Sequence, residues 1–125
     1  MESLIDNKAA ARASTREKFE HHPLRPMIEK MAARLAQEPG VEQIILYGSQ
    51  ATGEAHADSD IDLLLVKQTQ ESFITRCASA KKTVRHLSGL IPFSPIVLTP
   101  EETQKRLERG DQFIEQIFER GIRLL

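Results

Sequence analysis

At 125 residues and a formal net charge of -1, the chain has the size of one ordinary domain and lacks the Lys and Arg excess of a broad nucleic-acid grip. A content of 40% hydrophobic and 28% charged residues excludes a disordered chain and a membrane bundle. Cys77 is the single cysteine, which excludes an internal disulfide and a cysteine-based zinc site. With no signal core and no long apolar run, the protein is expected in the cytoplasm and off the membrane.

Residues 1–23 are polar with an Ala-rich middle, and are expected to form a helical or flexible extension ahead of a domain over 24–125. His21-His22 reads as a solvated pair, because adjacent side chains point apart. From Leu24 the apolar positions Met27, Ile28, Met31 and Leu35 follow helical spacing until Pro39-Gly40. Val41 to Tyr47 predicts a strand that Gly48 ends, and Ser49 to Ala55 leaves room for one or two helical turns. A second strand is predicted from about Asp60 to Val66. Ser72 to Leu87 then reads as a long amphipathic helix with Phe73, Cys77, Ala80, Val84 and Leu87 on its buried face. Arg76, Lys81, Lys82 and Arg85 fall off that face as a basic stripe, beside a solvated His86. Phe93 to Leu98 predicts a third strand, held at a sheet edge by Pro92 and Pro95. Thr99-Pro100-Glu101-Glu102 has the form of a helix start. Gly110 interrupts that helix, and Phe113, Ile114, Ile117 and Phe118 mark a last apolar face before a terminal strand over 122–125. This order implies an α/β (α+β) domain, a small mixed sheet of three to four strands flanked by helices.

The chemistry is concentrated in two places. On a strand, residues two apart share a face, so Asp60 and Asp62 present two carboxylates side by side. Two adjacent negative charges call for a cation, and Mg2+ suits them because it takes oxygen ligands and shares its sphere with substrate phosphates. Gly48-Ser49 lies at the exit of the preceding strand, where a glycine lets backbone approach a phosphate and a hydroxyl and free N–H groups donate to it. If the strands are neighbours, the two features converge on a nucleoside triphosphate.

Gly48-Ser49, a spacer ending in Asp58-Ser59, and Asp60-Ile61-Asp62 followed by the apolar Leu63 to Val66 resemble the DNA polymerase beta-like nucleotidyltransferase superfamily. The likeness is strongest to its minimal nucleotidyltransferase group, and extends from about Leu24 to the C-terminus. It implies a polymerase beta-like fold and Mg2+-dependent transfer of a nucleoside monophosphate, AMP from ATP, to a hydroxyl. Asp60 and Asp62 match the catalytic metal pair, and Gly48 and Ser49 match the nucleotide-binding turn. The resemblance further implies a helical, toxin-like partner protein as acceptor, with this chain as antitoxin. A second copy of the chain is also a candidate partner.

Two positions depart from the family pattern. A third carboxylate is usual on the third strand, where this sequence has Ser94 or Pro95, and many relatives have Arg at the position of Thr52. The expectation is weakened or absent turnover, with nucleotide binding partly retained through Asp60 and Asp62. The alternative function is a nucleotide-binding antitoxin or regulatory subunit that acts by binding its helical partner. Modification of a small antibiotic is a third reading, in which relatives use an extra domain.

Overall fold

The apolar runs predicted as strands pair into one four-stranded sheet in the computed structural model, which describes residues 16–55 and 59–125. Strand β1 (Val41–Tyr47) lies antiparallel to β2 (Ile61–Lys67), and β2 lies parallel to β3 (Phe93–Leu98). The short β4 (Ile122–Arg123) pairs antiparallel with the free side of β1. The order β3-β2-β1-β4 leaves β3 at an edge, as Pro92 just before it and Pro95 within it require. A parallel pair needs a crossover. The helix Phe73–Ser88 supplies it between β2 and β3.

Alternation along the strands gives the sheet two buried faces. Ile44, Leu46, Ile61, Leu63, Leu65 and Val97 pack against the helices α1 (Arg25–Ala36) and α3 (Phe73–Ser88), through Ile28, Met31, Leu35, Ala80 and Val84. On the opposite face Ile45, Leu64 and Leu98 pack against Ile114 and Ile117 of α5 (Gln112–Arg120). Each fully buried Leu or Ile contributes about 1.5–3 kcal/mol. Between β1 and β2 the chain makes only the single-turn α2 (Ser49–Thr52), and α4 (Pro100–Glu108) follows β3. Residues 16–20 are helical and put Phe19 into the first core, while residues 1–15 lie outside the described residues.

The amphipathic reading of α3 needs one correction. Phe73 is 46% exposed, whereas Arg76, assigned to the solvated stripe, is 8% exposed. Its guanidinium donates four hydrogen bonds: Nη1 to Glu102 Oε1 at 2.6 Å and to the Val97 carbonyl at 3.3 Å, Nη2 to Glu102 Oε2 at 3.3 Å, and Nε to the Glu71 carbonyl at 2.8 Å. Lys81, Lys82 and Arg85 remain exposed. Glu102 also closes the capping box of α4, accepting from Thr99 N–H at 2.8 Å. The same carboxylate therefore fixes the start of α4 and neutralises a buried charge beneath the β3 edge.

Hydrogen bonding from Arg76, and then from the Thr99 backbone, holds the Glu102 carboxyl below its usual 4.5. A lowered folded-state pKa contributes stability above that ordinary value, which is lost as pH falls through the folded value. Glu102→Gln is accordingly expected to lower stability by about 2 kcal/mol at neutral pH, discounted for a half-exposed carboxylate. The gap from wild type should close on acidification. Urea melts across a pH series check this, and a gap that persists in acid contradicts it.

Candidate active site

The sheet register brings the chemistry into one row. Tyr47 on β1 pairs with Asp62 on β2, and Asp62 pairs with Ser94 on β3. Side-chain alternation puts all three on the face that α5 partly covers. Asp60 precedes the first paired residue of β2 and joins the row through Ser94, whose hydroxyl donates to Asp60 Oδ2 at 2.9 Å. Of the two residues that could stand at the third-carboxylate position, the structure thus assigns Ser94, while Pro95 is buried on the other face.

Gly48 closes the site from above. Its φ of 77° belongs to the region that favours glycine, and a Cβ built there would sit 2.6 Å from Asp62 Oδ2. Both the conformation and the contact with the carboxylate require the missing side chain. Ser49 begins α2 directly behind it. Burial first, and then the charge of Asp60, raise the Asp62 carboxyl above its usual value. Burial, with Asp62 adding to it, also pushes the Tyr47 hydroxyl up to about 12, so it stays protonated at neutral pH. The two carboxylates and a serine hydroxyl form an all-oxygen donor set that suits a hard divalent cation. Among the described residues no third His, Cys, Asp or Glu joins them.

Glu101 and Glu102, the acidic residues that open α4, are engaged elsewhere. Glu102 is held by Arg76 and Glu101 by Lys105 at 3.3 Å, while His56 and Asp58 lie outside the described residues. Cys77 packs against the first core, and His86 is exposed, as expected. Phe113 departs from its core assignment: it is 51% exposed and stands edge-on to Tyr47 at 5.7 Å between ring centroids. Phe118 packs on the second core.

One relay is absent from the sequence reading. Leu24 N–H donates to His22 Nδ1 at 2.9 Å, which places the ring proton on Nε2, and that N–H donates to Gln50 Oε1 at 2.8 Å. The Gln50 amide in turn donates to the Ser59 carbonyl at 3.1 Å, one residue before Asp60. Gln50 is 3% exposed. A buried glutamine at the start of α2 was the available signal, since such a group must find partners. Gln50→Leu keeps the volume and removes both bonds, so a loss of about 1–3 kcal/mol is expected, with weaker Mg2+ binding. Chemical denaturation and Mg2+ titration read the two effects, and unchanged values would remove the relay as a support of Asp60.

A small mixed sheet with two carboxylates at the start of one strand, facing a glycine turn at the end of its neighbour, defines the architecture of a nucleotidyl-transfer domain. The family model described as "Polymerase beta, Nucleotidyltransferase" matches residues 29–125, and the chain belongs to that family. A candidate nucleotidyltransferase from Sulfolobus solfataricus has a similar fold, at 21% identity and a TM-score of 0.50 over 74% of this chain and 79% of that one. No curated protein matches. Members of the superfamily usually use divalent metals. Among the described residues, no helix is long and apolar enough to cross a membrane.

Proposed function

We propose that the protein transfers a nucleoside monophosphate, AMP from ATP, to a hydroxyl of a partner protein in a Mg2+-dependent reaction. The new P–O bond to the hydroxyl oxygen replaces the Pα–O bond to pyrophosphate, which leaves as the hydroxyl gives up its proton. The observation that carries this reading is the convergence of Asp60 and Asp62 with the Gly48-Ser49 turn at one end of the sheet. In that role Asp60 and Asp62 hold the metal, and Gly48 and Ser49 hold the phosphates. The cation, when bound, offsets charge on the phosphates and lowers the pKa of the attacking hydroxyl. Desolvation of Asp62 supports the fit, because a carboxylate that is costly to ionise alone gains most from a cation. The partner assignment rests on the likeness to the minimal nucleotidyltransferase group: a small helical toxin-like protein, with this chain as its antitoxin, in the cytoplasm.

Ser94 favours a second reading, a weakened catalyst that neutralises the partner by binding. A hydroxyl stands where the pattern calls for a charged ligand, and it is already bonded to Asp60. The experiment mixes the chain with the product of the adjacent reading frame, which this reading expects to be a small all-helical protein, with and without ATP and Mg2+. A mass increase of one nucleoside monophosphate on the partner, dependent on both, supports transfer. Equal neutralisation in both conditions without a mass change supports binding alone. Failure to modify or bind that protein removes the partner assignment.

A further inference from the structure

A cleft of about 240 Å³ opens beside the Gly48 turn, between α2 and α5. Tyr47, Gly48 and Thr52 form one wall, and Phe113, Gln116 and Arg120 of α5 form the other. Among the described residues, Arg120 is the only charged side chain that lines it. Among the described residues Arg120, like Arg85, Arg109 and Arg123, makes no ion pair or side-chain hydrogen bond, and of these four it alone lines the cleft. Its place in the last turn of α5 is favourable for a cation, but that interaction is weak at a surface and leaves all five guanidinium donors free.

The opposite wall, lined by Tyr47, Gly48 and Thr52, carries no charged side chain, and the Thr52 hydroxyl donates back to the Ser49 carbonyl. A nucleotide seated on the Gly48-Ser49 turn with its metal at Asp60 and Asp62 brings several negative oxygens to this corner. We infer that Arg120 binds the terminal phosphates of the nucleoside triphosphate across the cleft, supplying from α5 the positive charge that α2 lacks at Thr52. A guanidinium suits the task, since its planar fork meets phosphate oxygens two at a time. The inference rests on the nucleotidyltransferase reading of the same site and adds a residue from a different element to it. It also gives α5 a role besides covering the sheet: its buried Ile114 and Ile117 fix the helix, which in turn fixes where the charge stands.

The test is calorimetric titration of wild type, Arg120→Ala and the double variant Arg120→Ala with Thr52→Arg, each in Mg2+. The probes are ATP, AMP and inorganic tripolyphosphate. Arg120→Ala is expected to weaken ATP and tripolyphosphate about tenfold or more, as for loss of a charged hydrogen bond, and to leave AMP little changed. Thr52→Arg should restore part of the loss from the facing wall. Equal weakening of AMP and ATP would place Arg120 on the nucleoside and overturn the phosphate assignment. Unchanged ATP binding in Arg120→Ala would overturn it while leaving the nucleotidyltransferase reading intact. A wild type that binds neither ATP nor tripolyphosphate would remove both. Arg120 is exposed, so a thermal melt matching wild type is expected for each variant and separates binding from folding.

Discussion

Asp62→Asn is expected to abolish transfer, with a loss on the order of 10³-fold, since a catalytic metal is worth several kcal/mol and each 1.36 kcal/mol is tenfold. The same substitution is expected to leave the fold as stable as wild type or more so. Asp62 has its carboxyl pKa raised by burial and by Asp60. A raised folded-state pKa means that ionisation above the ordinary carboxylate value costs stability, and an amide of the same shape avoids that cost. Activity and stability should therefore move in opposite directions, as at sites where function is held against the fold. Two measurements decide it: transfer of label from α-labelled ATP to the partner, and the thermal midpoint without Mg2+. Retained transfer would sink the metal role, whereas a large fall in the midpoint would recast Asp62 as structural. In wild type, added Mg2+ should raise the midpoint, and in Asp62→Asn that rise should be much smaller.

The sheet was legible because its signals are local. Three apolar runs, each ended by Gly, Pro or a polar turn, are β1, β2 and β3, the terminal strand predicted over 122–125 is observed as Ile122–Arg123, and Pro92 and Pro95 correctly put β3 at an edge. Alternation along the predicted strand set Asp60 and Asp62 on one side; in the structure β2 begins at Ile61, Asp60 just ahead of it joins that side through Ser94, and strand pairing brings Gly48 to Asp62. What stayed hidden depends on elements distant in sequence. Arg76 follows the spacing of a solvated stripe until Glu102, twenty-six residues on, offers it a partner beneath β3. His22 reads as a surface histidine until α2 brings Gln50 against it. Phe73 fits a buried helical face by spacing, yet the first turn of α3 leaves it 46% exposed, which no periodicity reveals. Arg120 belongs to the same class: only the packing of α5 over the sheet sets it beside the turn that follows β1.

Ser94→Asp is expected to act in the opposite direction, raising Mg2+-dependent transfer by about tenfold or more if a third carboxylate is what the site lacks. The register makes the substitution specific. Ser94 pairs with Asp62 and its hydroxyl already reaches Asp60 Oδ2, so a carboxylate on the same backbone position lies within reach of both acids. Without a cation the third negative charge is unfavourable. Like charges at such separations repel by about 1–4 kcal/mol in surroundings between bulk water and a protein surface, so the metal-free midpoint should fall. Mg2+ should then restore it, giving this variant a larger metal-induced shift than wild type. Ser94→Asn separates charge from size, because it fills similar space with a neutral group and should gain neither transfer nor metal response. If the Asp and Asn variants behave alike, the weakness of the site does not lie at Ser94. If the Asp variant loses transfer that wild type performs, the Ser94 hydroxyl bonded to Asp60 is itself the working arrangement, and the missing charge is one this chain has no use for.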